Sequence, residues 1–134
     1  MLTIRRDQIE GPLDPLLEGL VDPNLDVVRT GALPVRPIHM STDIPSRHVL
    51  VAFNNPAGLR VYKINADATL GDEVKQTGNF DFGIFAHQIR VTPYNKYAVL
   101  VTRGNEGTPQ KAEDPGALKV FQYKNGVLSN EVSI

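Results

Sequence analysis

The chain has 134 residues, a formal net charge of -1, 41% hydrophobic and 22% charged residues, and no cysteine. These values fit one globular domain with a modest core, and the charge balance gives no footprint for nucleic-acid or polyanion binding. The lack of cysteine excludes a disulfide framework, thiolate catalysis and Cys-ligated metal, and no stretch reaches the roughly 18 apolar residues of a membrane helix.

The amino terminus, MLTIRRDQIEGPLD, meets acidic residues and a proline before any apolar core forms, so it does not read as a signal peptide. The expectation is a soluble, cytoplasmic protein that does not engage a membrane. Asp14 followed by Pro15, Leu16, Leu17, Glu18 and Leu20 reads either as a capped helix of about two turns or as an irregular entry segment; Gly19 and Pro23 limit it. Residues 1–24 are assigned to this N-terminal segment.

After Pro23 the chain breaks into short β-rich runs, each ended by Gly, Pro, Asn or Asp. Strands are expected over Leu25–Leu33, Arg36–Thr42, His48–Asn54, Leu59–Ile64, Leu70–Gln76, His87–Thr92, Lys96–Arg103, Ala117–Tyr123 and Leu128–Ile134. HVLVAFN and YAVLVTR are apolar on both faces and suit strands covered on both sides; EVKQ and NEVSI are polar and suit edges.

The runs repeat. Pro37-Ile38-His39-Met40 aligns with Phe85-Ala86-His87-Gln88 at an offset of 48, and the same offset takes Pro45 to Pro93 and Val51 to Val99. GLRVYKI then aligns with ALKVFQY, and ATLGDEV with GVLSNEV, at 58 to 59, so the second unit carries about ten extra residues, Glu106–Pro115. Leu25–Gly31 resembles a third, partial copy. Four strands per unit at a period near 48 predicts blades of a β-propeller; a β-sandwich is the alternative. The expected architecture is all-β: the last strand of a preceding blade over 25–35, a full four-stranded blade over 36–80 and a second over 84–134.

FGIFAHQIRVTPYNKYAVLVTRGN with GALKVFQYKNGVLSNEVSI, and IHMSTDIPSRHVLVAFNNPAGLRVYKI before them, resemble the lactonase family of seven-bladed β-propellers. That family includes propeller-type 6-phosphogluconolactonase and carboxy-cis,cis-muconate cyclase. Seven such units need on the order of 340 residues, so the expectation is a piece of about two to three blades: a fragment, a split product, or a chain that associates with itself or a complementary chain.

The resemblance implies metal-independent acid–base chemistry on an anionic lactone or carboxylate, without a cofactor. His87, opening an inner strand, is the candidate proton-transfer group, and His39 its counterpart at the substrate; either is alternatively a structural histidine. Arg103, at a strand end before Gly104, is the candidate anion grip or an exposed terminus. Gln88 and Asn105 are candidate polar lining. Arg90 stands three residues beyond His87, so simple alternation turns it to the opposite face. Asp43, His48, Asn54 and Asn55 read first as turn or surface residues, and Glu106–Pro115 as a rim loop or a surface excursion. No GxSxG, HExxH or phosphate-loop motif occurs. A non-catalytic binding or assembly module is the second reading.

Overall fold

A computed structural model describes Leu33 and residues 35–134. The anticipated helical turn and the 25–33 strand lie outside the described residues, except Leu33, which is in neither helix nor strand. The described part is all-β: β1 (Pro37–Thr42), β2 (His48–Phe53), β3 (Gly58–Ile64), β4 (Leu70–Glu73), β5 (Ala86–Val91), β6 (Tyr97–Thr102), β7 (Ala117–Lys124) and β8 (Val127–Ser133). No helix occurs among these residues, and hence none long and apolar enough to cross a membrane.

The strands form two antiparallel four-stranded meanders, ordered β1-β2-β3-β4 and β5-β6-β7-β8. Each strand pairs with its sequence neighbour, through short connections except between β6 and β7, where residues 103–116 intervene. Asn125 and Gly126, with φ of 49° and 83°, supply the two left-handed residues of the β7–β8 hairpin. The strand expected over Leu70–Gln76 stops at Glu73; from Val74 the chain leaves the sheet and crosses to the second one.

Backbone hydrogen bonds give the true equivalence of the two sheets. Ser46 N–H donates to the Asp43 carbonyl and Asp43 N–H to that of His48; Asn95, Thr92 and Tyr97 repeat the pattern, at an offset of 49. The bulges agree, falling between Pro37 and His39 and between Ala86 and Gln88. The sequence alignment at 48 is therefore one residue out over β1–β2 and β5–β6. Because side chains alternate, one residue exchanges the two faces. His39 is the counterpart of Gln88, His87 that of Ile38, and Val51 that of Leu100. For β3 and β7 the offset of 59 holds, with Phe53 opposite Gly58 and Thr102 opposite Ala117.

With this register each sheet has a front and a back. The front of the first sheet carries Leu50, Ala52, Leu59 and Val61, all 5% exposed or less. It is buried against Ala98, Leu100, Phe121 and Tyr123 of the second sheet, in one core with Ile89 and Leu128. Those residues belong to the back of the second sheet, the counterpart of Val49, Val51, Phe53 and Tyr62. The sheets thus stack front to back, by the same sense of displacement that relates one to the other. The connecting segment contributes to this core: Phe80 and Phe82 lie 5.5 and 5.9 Å from the Phe121 ring.

Polar tethers fix the stack. The Asp43 carboxylate, in the β1–β2 turn and 2% exposed, accepts the N–H groups of Arg47 and His48 at 2.8 and 3.0 Å. Its other oxygen bonds His48 Nδ1 at 2.8 Å and accepts the Tyr123 hydroxyl of the second sheet at 3.0 Å. Burial alone would raise the Asp43 carboxyl, but these hydrogen bonds outweigh it and hold it below the usual carboxylate value. Burial, and then the Asp43 charge, push Tyr123 up. Gln76 reaches the β7–β8 hairpin, donating to the Gly126 carbonyl at 2.9 Å and accepting Leu128 N–H at 2.8 Å. Lys119, 5% exposed, donates to Asp81 at 2.6 Å and Ser133 at 2.7 Å. The hydrogen bond with Asp81 raises the lysine and lowers the aspartate.

Asp43→Ala leaves four donors in the junction short of an acceptor, and is expected to cost about 3 kcal/mol in urea unfolding. Removing the exposed Arg60–Glu73 pair (3.0 Å) by Arg60→Ala should cost under about 1 kcal/mol. Because Asp43 is lowered in the fold, its contribution is complete above the unfolded carboxylate value of about 4 and is lost as pH falls through the lower folded one. The gap between wild type and Asp43→Asn in urea should therefore narrow in acid.

Candidate functional site

β1 and β5 are the first strand of each meander, and the stack sets them side by side. His39 pairs with Ala52, so it points from the front of the first sheet toward the second. Its Nδ1 accepts the N–H of Ile89 at 3.4 Å, which leaves the proton of the neutral ring on Nε2. Burial, then the Arg90 charge, then that of His87, lower the His39 pKa from its ordinary value. At neutral pH His39 is therefore an uncharged imidazole beside two groups that carry or can carry positive charge.

His87 and Arg90 both oppose charge on His39, and a bulge separates them along β5. Gln88 pairs with Val101 and Ala86 with Thr102, so the extra residue is His87. In a bulge two residues oppose one, here His87 and Gln88 opposite Val101, and alternation restarts from the second. Counting three residues on from His87 consequently misplaces Arg90, which lies on the same side as Gln88. Hydrophobic alternation gave no sign of the irregularity. His87 and Arg90 are exposed and Gln88 is half-buried.

Arg103 follows β6 at the corner where β5 begins. Its N–H donates to the Phe85 carbonyl at 3.0 Å, and its guanidinium lies 5.0 Å from the centre of the Phe85 ring. This is a cation–π seat and places Arg103 at the same rim as His87, two residues beyond Phe85. Gly104, with φ of 75°, turns the chain there; a Cβ would lie 2.2 Å from the Asp114 carbonyl oxygen. Asn105 is exposed and its backbone pairs with Asp114 at the base of the insertion. The insertion closes on itself as a small ladder, with Thr108 bridged to Lys111 and a Lys111–Asp114 ion pair. Among the described residues its backbone hydrogen bonds run within 105–114.

The turn residues discounted in the sequence form the most buried polar group. His48 is half-buried and held by Asp43, which superficially resembles an oriented general base. Gly126 packs beside the ring, where a Cβ would lie 2.9 Å from His48 Nε2 and 2.8 Å from Cδ2. Joined through the Asp43 carboxylate, Asp43, His48 and Tyr123 form a clamp between the sheets. Asn54 has a similar role at the other rim, donating to the Ala86 carbonyl at 3.1 Å. No group of three or more His, Asp or Glu arranged for a metal ion occurs among the described residues.

In an NMR pH titration His39 should titrate below the ordinary histidine value of about 6.5. In Arg90→Ala its midpoint should rise but stay below that value, since burial, the larger cause, remains. An unmoved midpoint would remove Arg90 from the cluster. In comparisons with known proteins, no family model, curated protein or solved structure matches this chain.

Proposed function

We propose that the two sheets are successive blades of a lactonase-type β-propeller in the cytoplasm, with β1 and β5 innermost, and that the site takes an anionic lactone or its open carboxylate. The observation that carries this reading is the gathering of the Arg90 guanidinium and the His87 and His39 imidazoles on the two adjacent first strands, where Arg90 and His87 both oppose charge on His39. A site of that character attracts a carboxylate or phosphate. Front-to-back stacking of four-stranded meanders supports the blade reading, because a face-to-face sandwich would bring equivalent faces together instead.

In this reading Arg90, with Arg103 at the rim, holds the anionic group of the substrate. His87 takes the proton from water as it attacks the lactone carbonyl and returns one to the departing ring oxygen; the reverse sequence closes a lactone. His39, neutral and already engaged through Nδ1, offers Nε2–H to a substrate oxygen. Gln88 and Asn105 supply polar lining, and further blades supply the remaining groups. A proton-transfer residue of this kind contributes roughly 10²- to 10⁴-fold in rate.

The test is binding first and then turnover. Titration with gluconate and muconolactone should shift the His39 and His87 ring signals, and Arg90→Ala should weaken that binding. Where δ-gluconolactone or muconolactone is turned over, His87→Ala should lower kcat by about 10²-fold or more, and Arg103→Ala should mainly raise KM. Ring signals unmoved by either ligand would contradict the reading and favour a non-catalytic assembly module.

A further inference from the structure

Ile89 pairs with Leu100 of β6, yet its N–H leaves that ladder and donates to His39 Nδ1 of β1 at 3.4 Å. At the non-hydrogen-bonded positions of an antiparallel pair the amides point outward, so this N–H lies on the free edge of β5. The residue is buried, with 0% exposure, and an N–H left there without an acceptor is costly. His39 supplies the acceptor in one protonation state only. A neutral imidazole has one nitrogen that accepts; an imidazolium has none.

The surroundings of the ring make this bond responsive to acid. His39 is half-buried, so solvent protons reach it. Among the described residues the charged or titratable groups that bear on it are Arg90 and His87, both of β5. On its own sheet it is paired with Ala52 of β2, which carries no charge. Arg90 holds a fixed positive charge, and His87, as an imidazole, can add a second in acid.

We propose that His39 is a pH-operated latch between the two sheets, closed while its ring is neutral and released when a proton occupies Nδ1. Protonation then acts twice at one seam. Nδ1–H is set against Ile89 N–H, donor against donor, and the imidazolium is set beside the Arg90 guanidinium, like charge against like. The stack itself persists, because the core from Leu50 to Phe121 and the Asp43–Tyr123 tether do not involve this ring. The release is a local opening of the β1–β5 edge. The fold holds His39 below the ordinary histidine value of about 6.5, so the contribution of the neutral ring is complete above that value and is lost as pH falls through the lower folded one. Asp43 is held below the carboxylate value of about 4, so the latch releases at a higher pH than the clamp. The latch is a property of the stack and does not rest on the ligand reading of the site.

The experiment is amide hydrogen exchange by NMR on the whole chain between about pH 8 and pH 5. After correction for the intrinsic pH dependence of exchange, protection of the Ile89 amide should fall about fivefold in step with the His39 ring titration, the loss of one hydrogen bond. The Leu100 amide, in the interior strand β6, should not follow. In His39→Asn the side-chain Oδ1 takes the place of Nδ1 and does not titrate, so Ile89 protection should become independent of pH. In His39→Ala protection should be low throughout; if circular dichroism shows that variant unfolded, His39→Asn decides alone. An Ile89 amide that ignores the His39 midpoint, or that keeps the wild-type pH profile in His39→Asn, would overturn the proposal. The readout is a single backbone amide, so it stands or falls apart from the lactone assays.

Discussion

The structure depends on one contact, the burial of the front of the first sheet on the back of the second. Of the two core clusters among the described residues this junction holds the larger, and a lone four-stranded sheet keeps at least one apolar face in water. Leu50, Val61, Ile89, Leu100, Phe121 and Leu128 are all 1% exposed or less, and all belong to this junction. Full burial of each such side chain stabilises by roughly 1.5–3 kcal/mol before the entropy of ordering is subtracted. Every polar tether across the stack adds direction to that contact. Dispersion and the hydrophobic effect do not choose among sliding positions, but the Asp43 clamp, the Gln76 amide and the Asn54 amide do.

The same contact also positions the candidate site. β1 and β5 meet only because the sheets stack front to back, and the Ile89 N–H reaches His39 across that seam. A bulge at the same point of each first strand aims an extra side chain out of the ladder, Ile38 in one and His87 in the other. Bulges re-aim side chains at little cost to pairing, and one repeat uses the device for an apolar residue while the other uses it for an imidazole. The site is thus a local variation on a repeated scaffold, with Arg90 and His87 standing on one short strand.

The strand pattern was legible in the sequence because Gly, Pro, Asn and Asp punctuate it so regularly. Eight described strands fall within a few residues of the expected runs, and the second-half offset of 59 was read correctly from GLRVYKI and ALKVFQY. The first-half offset was misread by one residue. Pro45 and Pro93 suggested equivalence, but they occupy the third and second places of otherwise matching turns. His39 and His87 reinforced the slip. What decides the register is the backbone pairing of Asp43 with Ser46 and His48, mirrored by Thr92 with Asn95 and Tyr97, and no side-chain identity is shared across that set. The clamp escaped the sequence for a similar reason. Asp43 and Tyr123 are 80 residues apart, and a single aspartate before Pro45 reads as an ordinary turn former.

The central claim is the front-to-back register at an offset of 49, and methyl-to-methyl and methyl-to-aromatic nuclear Overhauser contacts test it most directly. The account predicts contacts from Leu50 and Val61 methyls to Leu100 and Phe121, and none from Leu50 or Val61 to Val99, Val101 or Val120 within one chain. Contacts from Leu50 to Val99 and Val101 would show the second sheet turned over, and would contradict the register.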